Sequence, residues 1–391
     1  MNKTLALFFT TTLIAACTAS ELQKNRNVKE KLTLEKIDRN MGTGKKSVSP
    51  LDWYTVDAEN FELSGLYFRN PGEPFRRIPL DASVSRGVDH LAGNTAGVML
   101  RFKSDANEIT IDVKLDRDIP NDNMSAGVTK GFDIYTGSGS SKFFRRITRF
   151  PAVAKEYKSI LFQADGPKKI REFTIHFPLY SHPIDLKIGL SKGAKILPPT
   201  PWKDPRPVVV YGTSIQQGGC ASRPGMAHTN IMSRMLNRPF INLGFSGSGR
   251  GEPEMAKIMA KIKNPAMFIL DYDANAGVAG LQKTLSGFVD ILRKAHPEVP
   301  ILLVSRLPYA REFGENPEYS SVRYQFTTIH LNELNRRRQQ GDNNIHFLDG
   351  SSLYGMDPTE CTVDGVHASD LGFWQISKRM APVIERILTA L

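Results

Sequence analysis

Ser214 stands where a nucleophile would be put. The stretch VVVYGTSIQQGGC (208–220) runs four apolar residues into Gly212 and Thr213 and then presents a single hydroxyl, followed by two glycines. A serine hydroxyl is a weak nucleophile until a base takes its proton and a carboxylate orients that base. His367 fits the base. In CTVDGVHASDLG (361–372) it lies three residues after Asp364 in a glycine-containing loop, so the carboxylate can reach Nδ1–H and leave Nε2 facing outward. His176 and His182 fall in a β-rich region, His330 lies in a helical stretch, and His228, His296 and His346 sit at element edges; all six read as structural. On this pattern alone, a capping Asp beside a surface His stays open for Asp364 and His367.

Ester or amide chemistry also needs hydrogen-bond donors aimed at a developing oxyanion, commonly backbone N–H groups and an Asn side chain. INLGFSGSG (241–249) ends an apolar run in glycines whose backbone can approach a ligand, and DYDAN places Asn275 just past another such run. Gly and Asn also favour ordinary turns, and that reading applies to both segments.

The elements that must hold these residues follow from the periodicity. VVVYG, FINLGF, AMFILDY, PILLVSR and NIHFLDG are short apolar runs, separated by helical stretches near 227–237, 253–263, 279–295 and 320–339, with a last helix from about 369. Buried strands alternating with helices predict a parallel sheet covered on both faces. Reactive groups then gather at the carboxyl ends of the strands. Upstream the period is two. FELSGLYF, AGVMLRFKS, EITIDVKL, GFDIYTG, REFTIHFPL and DLKIGL predict an antiparallel β-sandwich, and KFFRRITR (142–149) reads as an exposed strand face. ILPPTPWKDPRP, with five prolines between 198 and 207, reads as a stiff linker.

The blocks GTSI, NLGFSG, DYDAN and DGVH, in this order, resemble the four signature blocks of the SGNH (GDSL-type) hydrolases, and GFDIY (131–135) resembles the GxDLY motif of the N-terminal sandwich in one bacterial branch. The resemblance implies a three-layer, flavodoxin-like α/β hydrolase domain over 208–391, preceded by a β-sandwich over 49–197 and the linker 198–207. It implies Ser214, His367 and Asp364 as the triad, and Ser214 N–H, Gly247 N–H and the Asn275 amide as the oxyanion hole. Gly244 is the other glycine available in the second block. Thr213 stands where the family name has Asp, and Asp271 and Asp273 precede Asn275 where Gly-x-Asn-Asp is usual. GLSKG (189–193) imitates another hydrolase elbow, but no helix pattern follows its serine.

Two further expectations follow from this placement. Cys220 lies six residues after Ser214 and Cys361 three before Asp364, so a shared site would bring them together as a disulfide, with Cα atoms within about 7 Å. Arg223 and Arg250, close in sequence to the nucleophile and to Gly247, are candidates to touch an acidic sugar or to form ion pairs at the rim.

The whole chain bounds these readings. Its 391 residues allow two domains, and 51 Lys and Arg against 40 Asp and Glu give +11. The basic residues are scattered, with neither zinc-finger spacing nor an aromatic–basic RNA motif, so nucleic acid is not the expected partner. There is no CxxC or HExxH, and no metal or organic cofactor is implied. MNKTLALFFTTTLIAAC carries an apolar run too short to span a bilayer. Ile14-Ala15-Ala16-Cys17 resembles a bacterial lipobox, which implies a signal peptide over 1–16, lipid attached to Cys17, a tether over 17–48 and a membrane-anchored, exported protein. The expected activity is hydrolysis of a short acyl ester, most simply acetyl, on carbohydrate. The competing expectations are a lipid or aryl esterase of the same fold, and a catalytically inert glycan-binding surface lipoprotein.

Overall fold

The computed structural model of the chain describes residues 50–390 apart from 118–122, 152–153 and 314–317. Cys17 and the segments expected to be a leader (1–16) and a tether (17–48) lie outside the described residues. Among the described residues no helix is long and apolar enough to cross a membrane.

Residues 51–197 form two antiparallel sheets. Strands β1 (Leu51–Tyr54), β9 (Pro183–Ser191), β4 (Glu108–Leu115) and β7 (Glu156–Gln163) make one, in that order. In the other, β10 (Ile196–Leu197), β3 (Met99–Ser104), β8 (Arg171–His176), β5 (Asp133–Thr136) and β6 (Phe143–Ile147) follow one another, with β2 (Glu62–Ser64) on β3. The inner faces read directly from the alternation. Ile109, Ile111, Val113 and Leu115 of β4 meet Phe173 and Ile175 of β8 in one apolar core.

The outer face of β8 is buried as well, although its residues are polar: Glu172, Thr174 and His176 have almost no exposure. They are covered by the second half of the chain, as Arg234 shows by reaching within 3.5 Å of His176 Nε2. The proline-rich segment is held in the same way. Arg101 donates to the Thr200 carbonyl at 2.6 Å and stacks on Trp202, whose indole donates to Glu62 at 2.8 Å.

After this segment the sheet becomes parallel: β12 (Phe240–Gly244), β11 (Val208–Gly212), β13 (Met267–Asp271), β14 (Ile301–Val304) and β15 (Ile345–Leu348). The order 2-1-3-4-5 is the flavodoxin-like one, with its switch point beside the first strand. Every residue of β11 is buried because both faces are covered. Val208 and Val210 pack with Ile231 and Phe373 on one side, and Val209 and Tyr211 with Met255 and Phe288 on the other. Gly212 pairs with Gly244 on one neighbour and Asp271 on the other, so the three strands end side by side. Small helices α1 (Arg86–Ala92) and α2 (Ala126–Lys130) belong to the sandwich half. The parallel half carries α3 (Ser214–Gln217), α4 (His228–Leu236), α5 (Pro253–Ala260), α6 (Asp273–Ala295), α7 (Glu318–Gln339) and α8 (Asp370–Thr389).

Candidate active site

Ser214 is the first residue of α3, where the chain leaves β11. Thr213 caps the helix: its hydroxyl accepts from the Ile215 amide, and the Gln216 side chain accepts from the Thr213 amide at 2.8 Å. Thr at this position does what an Asp can do as an N-cap, so the departure from GDS leaves the turn intact. The two glutamines then tie α3 to the neighbouring blocks. Gln216 donates to Asp271 at 2.5 Å, and the Ser246 amide donates to Gln217 at 2.9 Å. The Asn242 amide group donates to the Gln216 carbonyl at 2.6 Å.

Ser214 Oγ lies 2.9 Å from His367 Nε2, and His367 Nδ1 lies 2.7 Å from Asp364 Oδ2. Ser214 is thus brought beside a His–Asp pair that lies 150 and more positions further along the sequence. Asp364 is held by more than the imidazole. Its Oδ1 accepts from the amides of Val366 and His367, and its Oδ2 accepts from the Asn123 side chain at 2.8 Å. Partial burial pushes this carboxyl up, but bonds from the His367 amide and imidazole, from Asn123 and from the Val366 amide outweigh it and hold Asp364 well below the usual carboxylate range.

Asn123 belongs to the sandwich half, and sequence reasoning missed it. It lies in no strand or helix pattern, and only the fold brings it across 241 positions to Asp364. Tyr180 of the same half reaches the Ser214 carbonyl at 3.4 Å. The GFDIY motif acts likewise: Asp133 accepts from Arg223 at 2.7 Å and from the Gly225 amide at 2.8 Å, and the Tyr135 hydroxyl accepts from Arg223 at 2.6 Å. Arg223 is therefore a clamp between this motif and the loop that follows α3.

The other blocks close around the serine. Asn275, in the first turn of α6, donates to the Phe245 carbonyl at 3.2 Å and so sits against the second block. The two glycines of that block are told apart. Gly244 donates its amide to Asn242 at 2.9 Å, and a Cβ there would come within 2.2 Å of the Gln217 nitrogen. Gly247 has φ +66° and open space where a Cβ would stand. Arg250 bends back to the Gly247 carbonyl at 3.1 Å.

The two aspartates before Asn275 are structural. Asp273 is buried against His330, 3.0 Å from its Nε2, and accepts from the Arg306 amide. Burial first, and the charge of Asp273 second, push the Asp271 carboxyl well up.

The expected disulfide does not form, and both cysteines are thiols. Cys361 closes a 3₁₀ turn and points its sulfur at the carbonyls of Asp357 (3.4 Å) and Tyr354 (3.6 Å). Cys220, with φ +71°, instead turns its sulfur to within 4.8 Å of ligand atoms of Asp364 and His367. The loops do converge, but the local backbone aims the two side chains at different partners. Ser191 of GLSKG accepts from the Glu108 amide at the end of β9, with no helix after it.

A parallel α/β domain with Ser, His and Asp joined at its switch point, braced by an antiparallel sandwich, fits a class of acylhydrolases. The chain belongs to the SGNH (GDSL-type) hydrolases, in the branch with a GxDLY-type N-terminal domain. The model of the GDSL-like lipase/acylhydrolase family matches residues 205–385, and that of the N-terminus of SGNH-hydrolase-type esterases matches residues 51–196. A protein of Bacteroides ovatus described as a GDSL-like lipase is 29% identical, with a TM-score of 0.79 over 87% of this chain and 98% of its own. The salicylyl-acyltransferase SsfX3 of a tetracycline biosynthetic pathway is 19% identical, with a TM-score of 0.66 over 87% and 97%. The acetyl xylan esterase Est2A of Butyrivibrio proteoclasticus shares the fold at 12% identity and a TM-score of 0.55 over 87% and 99%. No curated protein matches the sequence.

Proposed function

We propose that this ester hydrolase removes short acyl groups, acetyl above all, from carbohydrate through an acyl-enzyme on Ser214. The observation that carries the reading is the continuous relay Ser214–His367–Asp364, at 2.9 and 2.7 Å. Ser214 Oγ attacks the ester carbonyl while His367 takes its proton and Asp364 stabilises the imidazolium. The amides of Ser214 and Gly247 and the side chain of Asn275 receive the oxyanion. Collapse of the tetrahedral intermediate expels the sugar hydroxyl, which takes the proton from His367. Water, deprotonated by the same imidazole, then releases the carboxylic acid and restores Ser214.

The groups tied to the triad and its rim favour a small, polar substrate. Asn123, Ser246, Gly247, Asn275 and Arg250 are small or polar, which suits an acetyl group on a hydroxylated ring better than a long acyl chain. The carbohydrate esterases among the structural neighbours share the fold, and their substrates suggest where to begin. Rates on 4-nitrophenyl acetate and octanoate, with acetate release from a panel of acetylated polysaccharides, test the reading. Faster octanoate turnover with no acetate release would favour the lipid esterase. Failure of a fluorophosphonate to label the folded chain would favour an inert binding protein. The lipobox-like Cys17 supports export and lipid anchoring, which fatty-acid labelling lost in Cys17→Ala would test.

A further inference from the structure

A cavity of about 270 Å³ opens where β5 and β6 of the sandwich half meet α4 and α8. Three of its lining residues are cations, Lys142, Arg223 and Arg234, and none is a carboxylate. Arg223 is satisfied by Asp133 behind the wall. The other two have no ion-pair partner among the described residues. Arg234 lies over the Tyr135 ring at 4.3 Å and donates to the Asn230 carbonyl at 3.1 Å. The ring it approaches, His176, is kept uncharged by burial and then by Arg234, Lys142 and Arg223. Lys142 stands over Trp202 at 5.2 Å, and the nearby Glu62 and Glu172 are engaged by Arg101. Burial, with repulsion from Arg101 and Arg234 against attraction to Glu172 and Glu62, brings Lys142 down to about 7.

Arg234 and Lys142 are desolvated, and the carboxylates that act on them, Asp133, Glu62 and Glu172, are already paired with Arg223 and Arg101, so an anion bound between the two would offset the cost of their burial. The remaining walls narrow the choice of anion. Phe144 and Trp374 are 42% and 44% exposed, large rings standing at a polar cavity. Such faces take the C–H side of a sugar ring, and Arg with Lys takes a carboxylate. The volume lies just below the range of about 300–1,000 Å³ typical of small-molecule clefts, which suits a single ring. The cavity also shares its backbone with the triad. Arg223 follows the nucleophile helix, and Ser222 donates to Asp370 at 2.8 Å, four residues before Trp374 and three after His367.

We propose that this cavity is a subsite for a carboxylate-bearing sugar residue, its carboxylate held by Arg234 and Lys142 and its ring against Trp374 and Phe144. The carbohydrate in this inference rests on the proposed function, and the need for an anion does not. The chain would then prefer acetylated polysaccharides that contain uronic acid.

Calorimetric titration of the full chain with unesterified galacturonate oligosaccharides, neutral galactose oligosaccharides and inorganic phosphate tests it. We expect the uronate to bind and the neutral sugar to bind at least tenfold more weakly. Lys142→Gln, Arg234→Gln and Trp374→Ala should each lower uronate affinity about tenfold while 4-nitrophenyl acetate hydrolysis is unchanged. Equal binding of charged and neutral sugars, or none of either, overturns the proposal. Phosphate that binds as tightly as the uronate, with no effect of Trp374→Ala, overturns the sugar assignment and leaves a simple anion site. Because no ester enters the titration, a chain without esterase activity would still give a clear answer.

Discussion

The side chain of Asn123 donates to Asp364 Oδ2 at 2.8 Å, so a residue of the sandwich half holds the carboxylate that orients the proposed catalytic base. The carboxylate shares that oxygen between Asn123 and His367 Nδ1. Loss of the amide would leave Oδ2, the oxygen that faces the imidazole, without its second donor, while the Val366 and His367 amides still hold Oδ1. A hydrogen bond to a charged group contributes about 1.5–3 kcal/mol. Asn123→Ala is therefore expected to lower kcat for 4-nitrophenyl acetate roughly tenfold to a hundredfold with KM little changed. A purely structural residue would move Tm and the active fraction instead, and leave kcat per labelled site constant.

Arg77 makes another bridge between the halves. Fully buried, it donates to the carbonyls of Asn242 (3.1 Å) and Gly244 (2.7 Å), and its guanidinium lies 4.5 Å from the Phe245 ring centre. Arg77→Met keeps much of the volume and orphans both carbonyls. Each buried unsatisfied group costs about 1–3 kcal/mol. The urea midpoint should fall accordingly, and activity should fall with it, because Gly244 and Phe245 set the course of the Gly247 loop. An unchanged midpoint would show that the carbonyls find other donors.

His228 gives the fold a defined acid sensitivity. It is buried and stacks on Phe373 at 5.7 Å with the rings 6° from parallel, and burial presses its pKa down to about 4. The unfolded chain binds that proton near pH 6.5. Stability from the neutral ring is therefore complete above about pH 6.5 and is lost as pH falls toward 4, on the order of 3 kcal/mol in all. Thermal unfolding of the wild type and His228→Leu across this window should show the wild type losing stability relative to the variant as pH drops. Parallel curves would show that His228 does not titrate there.

The cysteines supply a chemical test of the fold. With Cys220 beside Asp364 and His367, and Cys361 turned to the carbonyls of Tyr354 and Asp357, a reducing agent should leave Tm unchanged and two thiols should titrate in the unfolded protein once residues 1–17 are removed. A disulfide would have contributed about 2–4 kcal/mol, and its reduction would show as a clear drop.

Much of this was legible in the sequence, and the exceptions have physical reasons. VVVYG, FINLG and ILLV announce buried parallel strands because both faces are covered, and Asn242 is the one amide or charged side chain in the three runs. The Asp364–His367 pair was legible because both residues lie in one local turn. EYKSILFQ was missed as a strand since its exposed and buried positions alternate only at the start. Asn123, Tyr180 and Arg77 carry no local signal, because what they do depends on where the sandwich half meets the parallel sheet. The polar residues of β8 could have pointed to that contact: Glu172, Thr174 and His176 alternate like a solvent face, and their burial belongs to the neighbour that covers them. Convergence of the two cysteine loops was legible too, while the direction of the sulfurs depends on a positive φ at Cys220 that composition does not announce.

The central claim is that Ser214, activated by His367, is the nucleophile. The direct measurement is the turnover of 4-nitrophenyl acetate by Ser214→Ala, with circular dichroism and Tm to verify the fold. Removing a triad nucleophile costs roughly a millionfold in kcat in a well-studied serine protease. We predict a fall of at least about ten thousandfold in a protein that unfolds at the wild-type temperature. A folded Ser214→Ala variant that turns over within tenfold of the wild type would contradict the account.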